Sequence, residues 1–267
     1  MEQPDYLPKD YDGIQLVGNM DELFAATFGP ANVVLYPRSL TAAFNARAQA
    51  ADFKALSLLL LDGLSEKDMS HEDLSEAASR LEGGSKKAAQ QILDDMKAFE
   101  SNDLKPALRI FIGKALVNLA DYGGKIFQEG AHLFHGDGVP TRFLCCYTAP
   151  ATEGLCNEDA ERYIDSENYA QELAASYTAE RGRNPYHPLP GLQGYPEKTE
   201  DFKRWLERNN DYYFPKPRAR IFSFKIGDVF RFAGEKNYAG VPPFIHRGPP
   251  SNDDSSPRLV LVGDLKP

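Results

Sequence analysis

The sequence predicts an α+β fold: a β core of barrel or jelly-roll type, an N-terminal helical layer, and a helical and loop insertion within the core. Three observations carry this reading. Residues 1–125 are rich in Ala and Leu, with apolar positions at helical spacing. Residues 126–155 and 220–267 change to short β-branched and aromatic runs cut by Gly and Pro, the punctuation of a closed or double-layered β structure. Between them, 156–219 is polar, aromatic and Pro-containing. With 267 residues, a single domain is the default, since chains of this size bury roughly 75% of the surface they expose when unfolded.

The elements follow in order. Asn32 to Tyr36 is a short strand, and Phe44 to Leu61 a helix. Ser70-His71-Glu72-Asp73 opens another helix, with Ser70 as N-cap and Asp73 at the capping-box position. Gly83-Gly84 closes it, and Ser85 caps the next run through Met96. Leu104 to Tyr122 carries a helical stripe (Leu108, Ile112, Ala115, Leu116, Leu119). The strands are 131–135, 141–148, 220–225, 228–232, 244–246 and 258–262. In the insertion, Asp159 to Arg181 and Thr199 to Asn210 read as helices and Asn184 to Pro196 as a loop.

Charge and composition exclude several classes. A net charge of -9 argues against a nucleic-acid backbone as partner. The longest apolar stretch, Leu56 to Leu61, is far too short to span a bilayer, so no membrane role is expected. Met1-Glu2-Gln3-Pro4-Asp5 has neither the basic start nor the apolar run of a signal peptide. Cys145, Cys146 and Cys156 are odd in number and two are adjacent, which suits a reducing cytoplasm better than a disulfide framework, and Cys145 and Cys146, in an apolar strand, read as buried thiols.

The chemistry concentrates in His135-Gly136-Asp137 and a distant His246. On a strand, residues at i and i+2 point to one face, so His135 and Asp137 can chelate one metal. His246 at a strand end suits the third ligand. Two imidazoles and one carboxylate leave coordination positions open, the ligand set of non-haem Fe(II) oxygenases, whereas structural Zn(II) is usually closed by four ligands, often thiolates. A chance His-x-Asp on the surface or satisfied in the core is the plain alternative.

The order His135-x-Asp137, Gly227-Asp228-Val229, His246 and Arg258 at the head of an apolar strand resembles the Fe(II)/2-oxoglutarate-dependent dioxygenases. The runs Phe134 to Glu153, His246-Arg247-Gly248-Pro249-Pro250 and Arg258-Leu259-Val260-Leu261-Val262 are similar to an uncharacterised bacterial domain-of-unknown-function family of this type. Ala149 and Ala151 stand where that family usually has Gly, and Gly248 where it tends to have Ser. The resemblance covers about 130–155 and 220–265. It implies a double-stranded β-helix, a cupin-like jelly-roll variant. It also implies Fe(II) on His135, Asp137 and His246, with 2-oxoglutarate and O2 at the open positions.

Roles follow from that resemblance. Arg258, twelve residues after His246, stands where the distal carboxylate of 2-oxoglutarate is anchored; its alternative is a surface Arg. Arg142, in an apolar strand, needs an anionic partner, either a protein acid or the cosubstrate. Tyr147 is a hydrogen-bond donor to the cosubstrate or a core aromatic. Alternation turns Arg247 away from His246, to support the site from behind or to pair with an acid. Asp228 reads as a turn former. His132 lies on the strand face opposite His135, and His71 and His187 read as solvent-exposed. The aromatic segment around Tyr186, Tyr195, Tyr212, Tyr213 and Phe214 is either a lid over the substrate or packed cover for a sheet edge.

The expected function is an Fe(II)/2-oxoglutarate-dependent oxygenase that acts on a small-molecule or peptide substrate. A non-catalytic cupin-like metal-binding or regulatory protein competes with it. A helical interaction protein with an accidental motif is the third possibility.

Overall fold

Two sheets carry the computed structural model, which describes residues 3–38, 46–61, 66–111, 134–162, 212–248 and 257–265. The chain begins with β1 (Ile14–Leu16), α1 (Met20–Ala25), β2 (Val33–Tyr36), α2 (Ala46–Leu61), β3 (Glu66–Met69), α3 (His71–Ser79), α4 (Gly83–Glu100) and β4 (Leu104–Phe111). It continues with β5 (Phe134–His135), β6 (Thr141–Cys146), β7 (Glu153–Leu155), β8 (Ala160–Arg162) and β9 (Tyr212–Pro215). The last strands are β10 (Ile221–Ser223), β11 (Val229–Ala233), β12 (Ile245–Arg247) and β13 (Arg258–Leu265). One sheet has the order β1-β2-β11-β6-β13-β4-β3, the other β10-β7-β12-β5-β9-β8. All neighbours are antiparallel except β1 and β2.

Strand alternation sorts the side chains into layers. On β6, Phe143 and Cys145 face the helices, whereas Leu144 and Cys146 face the second sheet. Leu259 and Leu261 of β13 likewise join Phe53, Leu56, Ile92, Met96 and Phe99 from α2 and α4. Val260 and Val262 pack with Phe222, Phe224 and Phe244 between the sheets. Each such fully buried side chain contributes about 1.5–3 kcal/mol. The result is a mixed α/β structure: a helical layer, a seven-stranded sheet and a six-stranded sheet. All three cysteines are buried and free, as the apolar strand predicts for Cys145 and Cys146. No described helix is long and apolar enough to cross a membrane.

The predicted strand at 32–36, the helix through Leu61 and the core strands are found. So is the capping box: Ser70 Oγ accepts from the Asp73 amide, and Asp73 reciprocates to the Ser70 amide at 2.9 Å. Four expectations are corrected. Residues 104–111 form β4, not a helix; the rest of that stripe, from Ile112, lies outside the described residues. Leu104, Leu108 and Ile110 serve a period of two as well as a helical one. Pro106 disfavours a helix interior, and eight cross-strand pairs with β13 decide the outcome. The N-terminal layer therefore contributes four strands besides its helices.

Gly83-Gly84 does not close α3. That helix ends at Ser79 with Arg80 as its cap, and Gly83, at φ +57°, opens α4. The N-cap of α4 is Glu82 rather than Ser85. Asp159 lies in a 3-10 turn and 160–162 form β8, while the remainder of the helix expected to Arg181 lies outside the described residues. His132, Tyr186, His187, Tyr195 and the 184–196 and 199–210 expectations fall there too. Tyr212–Pro215 belong to a strand with Tyr213 buried, so this part of the aromatic segment is sheet and not lid.

Candidate metal centre

β5 is only two residues long but is paired on both sides. His135 stands opposite His246 of β12 on one side and Tyr212 of β9 on the other. Directly opposite residues share a sheet face, so both imidazoles point inward. Asp137 follows β5 and turns back beside them. The Nε2 of His135 lies 3.6 Å from Asp137 Oδ1, and the Nε2 of His246 lies 3.7 Å from Asp137 Oδ2. The two rings are 4.6 Å apart between centroids. One ligand atom from each residue lies within 4.8 Å of the others. Metal–ligand bonds of about 2.0–2.2 Å need donor atoms about 3–3.5 Å apart, so a small inward adjustment suffices.

The surroundings prepare His246 and Asp137 as donors. His246 is buried against Phe232 and Phe244, with ring centroids at 4.7 and 5.3 Å. Burial lowers its pKa to about 4, so the ring is neutral at pH 7. Its Nδ1 lies 3.3 Å from the Phe244 carbonyl oxygen, which can only accept. The tautomer that donates to this oxygen carries its proton on Nδ1 and leaves the Nε2 lone pair toward Asp137. Burial alone raises the Asp137 carboxyl, but His246, His135 and Arg142 together hold it below the usual carboxylate range. A lone pair facing an anion across 3.7 Å is an arrangement that a cation stabilises.

Arg142 holds this carboxylate. Its Nη1 donates to Asp137 Oδ2 at 2.9 Å, while Nε and Nη2 grip Asp264 of β13 at 2.7 and 2.8 Å. The anionic partner that its apolar strand demands is thus protein, and the expectation that it binds cosubstrate gives way to a role in placing Asp137. Tyr147 is corrected as well. It lies on the helix-facing side of the seven-stranded sheet, where its hydroxyl donates to Asp95 Oδ2 at 2.5 Å and its ring stacks on Phe53. Five positions of β-sheet parity separate it from Arg142 and put it on the opposite face.

Arg247 faces away from His246 as alternation predicts, donating to Glu153 Oε2 at 2.8 Å and covering the Phe134 ring at 4.3 Å. Arg258 shares the inward face with Val260 and Val262 and is 2% exposed, which excludes a surface Arg. Its Nε donates to the Pro150 carbonyl at 3.0 Å. Burial lowers its pKa, against the opposing pull of Cys146 and Glu153. Glu153, whose charge acts on Arg258, precedes Gly154, which pairs with His246. Asp228 is the turn former expected, accepting from Tyr6 Oη at 2.7 Å and from the Lys225 amide at 2.9 Å.

Several residues around the centre were not singled out by sequence reasoning. Asp264, Phe232, Phe244, Gly154, Arg162 and Glu235 all lie in or beside it. Parity on β13 could have found Asp264, which shares the face of Arg258. Gly154 has no motif; a Cβ there would run into Phe222 and Phe244. Comparisons with protein-family models, curated proteins and solved structures find no match to this chain.

Proposed function

We propose that this chain is a non-haem Fe(II)- and 2-oxoglutarate-dependent oxygenase built on a double-stranded β-helix. The observation that carries the reading is the inward-facing His135, Asp137 and His246 cluster, with its ligand atoms within 4.8 Å. Among the described residues it is the one group of His, Cys, Asp and Glu that could hold a metal. It contains no thiolate, and its two imidazoles and one carboxylate suit Fe(II) better than a closed Zn(II) site. The jelly-roll reading is supported by the path of the chain: β4, β6, β11 and β13 lie in one sheet, while β5, β7, β10 and β12 lie in the other.

Fe(II) held there would supply the O2-activating redox centre, with the remaining positions open to 2-oxoglutarate and O2. The chain's own residues do the rest. His246 and Asp137 present an unprotonated nitrogen and a carboxylate at neutral pH. Arg142, bridging Asp137 and Asp264, fixes the Asp137 carboxylate. Phe232 and Phe244 wall His246 from water. Arg258 places a fixed positive charge on the inward face, suited to the distal carboxylate of 2-oxoglutarate. The overall reaction would convert 2-oxoglutarate and O2 to succinate and CO2 while one oxygen atom enters a small-molecule or peptide substrate. The three buried free thiols fit a cytoplasmic setting.

One observation favours a non-catalytic cupin-like metal-binding module instead: the Arg258 Nε is engaged by the Pro150 carbonyl. Anaerobic absorption spectroscopy separates the two. The oxygenase reading expects a visible charge-transfer band when 2-oxoglutarate is added to the Fe(II) protein, and its loss in His135→Ala. Stoichiometric Fe(II) binding with no such band supports the module; no Fe(II) binding overturns both.

A further inference from the structure

The turn that carries Asp137 is held from behind by a residue outside the ligand set. After β11 the chain doubles back at Gly234-Glu235 and packs against the segment from Asp137 to Pro140. The Glu235 amide donates to the Asp137 carbonyl oxygen at 2.8 Å, and the Gly234 amide to the Pro140 carbonyl oxygen at 3.1 Å. The Glu235 side chain then folds over the glycine between the two proposed ligands; a Cβ added at Gly136 would lie 2.7 Å from Glu235 Oε1. The carboxylate is itself fixed. Tyr213 Oη donates to Oε1 at 2.7 Å, and Arg162 Nη2 to Oε2 at 3.3 Å. Arg162 also donates through Nε to Tyr213 Oη at 3.2 Å and lies over the Tyr213 ring.

We infer that Glu235 is a positioning residue for the metal centre: with Tyr213 and Arg162 it forms a clasp that fixes the His135-Gly136-Asp137 turn. The inference rests on the metal-site reading above. The clasp has a second consequence through its placement in the chain. Arg162 ends β8 and Tyr213 lies in β9, the two strands that bound residues 163–211. Both side chains meet on the carboxylate of Glu235, which lies over Gly136 while the amide of the same residue holds the Asp137 carbonyl, so the pairing of β8 with β9 and the shape of the metal turn are coupled. Tyr213 is buried, Glu235 and Arg162 are partly so, and three polar groups that satisfy one another in this way favour one geometry. Groups that orient ligands from outside the coordination sphere typically govern affinity by about 10–100-fold.

The test uses the full chain, metal-free and with Co(II) as probe, in Glu235→Ala, Glu235→Gln and Tyr213→Phe. Glu235→Ala is expected to weaken Co(II) binding at least about tenfold and to change the visible Co(II) spectrum. In metal-free protein it is expected to speed amide exchange at positions 234 and 235. Glu235→Gln, whose carbonyl still accepts from Tyr213, should recover most of both signals, and Tyr213→Phe should show a smaller loss of the same sign. Should Glu235→Ala fail to fold, Tyr213→Phe carries the test alone. Wild-type affinity, spectrum and exchange rates in Glu235→Ala, or in Tyr213→Phe where it stands alone, would overturn the clasp. If wild-type protein binds no Co(II), the metal reading fails and the amide exchange of the metal-free variants decides the clasp by itself.

Discussion

His246 stands directly across the β12–β5 ladder from His135, so two imidazoles far apart in sequence are nearest cross-strand neighbours with ring centroids 4.6 Å apart. The pairing makes each ring part of the other's environment and places both beside Asp137.

The first prediction concerns acid. The pKa of His246 falls from 6.5 to about 4 on folding, chiefly through burial. Between these values the unfolded chain binds the proton and the folded chain does not, so stability is full above pH 6.5 and declines as pH falls toward 4. The depressed Asp137 carboxyl acts in the same direction at lower pH. Urea unfolding of chelator-treated protein should show this fall, and His246→Gln should flatten it. An identical pH dependence in the variant would contradict the buried neutral imidazole.

Removing Arg142 tests the carboxylate network. Arg142→Ala leaves Asp137 buried without its cation and should cost the metal-free protein about 3 kcal/mol, the lower end for a broken buried pair because this one is partly exposed. A bound cation replaces the lost charge. The rise in Tm on adding Co(II) should therefore be larger in Arg142→Ala than in wild type. An equal or smaller rise would show that Arg142 does not govern the Asp137 charge.

Tyr147 and Arg258 should behave in opposite ways. Tyr147→Phe removes one hydrogen bond to Asp95, which Arg38 still holds at 2.7 Å through both carboxylate oxygens. It should cost about 1–2 kcal/mol of stability and leave the Fe(II) and 2-oxoglutarate titrations unchanged. Arg258→Met should keep Fe(II) binding and lose the spectral response to 2-oxoglutarate. The same response in both variants would remove Arg258 from the cosubstrate site.

Gly234→Ala is the backbone test. A Cβ at this buried position collides with the carbonyl oxygens of Val139 and Asp137, which cannot move without the ligand turn. The variant should lose Co(II) affinity by at least about tenfold. Wild-type Co(II) affinity would mean that the turn tolerates displacement.

What the sequence made legible was local periodicity. Alternation through β6 and β13 and the Ser70 capping box act within a few residues, and the structure follows them; His135 and Asp137 do meet, but through the turn after β5 and not by strand alternation. Residues 104–111 escaped because Leu104, Leu108 and Ile110 fit two periods, and only pairing with β13 selects one. The Glu235 contacts escaped for a different reason. They join residues from β8, β9 and the turn after β11, and no spacing within one segment encodes that meeting. Parity, applied strictly, would have separated Tyr147 from Arg142.

The place of β13 has a consequence for how the molecule can form. It follows every other described strand in sequence, yet it lies between β6 and β4 in the interior of the seven-stranded sheet. Until residues 258–265 dock, β4 and β6 present open ladders, and the two halves of that sheet are joined only through the helical layer that packs on both. Such unpaired interior edges invite pairing with other chains, and contacts this distant in sequence close slowly. The slow, association-prone stage of folding should therefore end with one event, the insertion of this strand, and a peptide spanning 258–265 would be expected to intercept it.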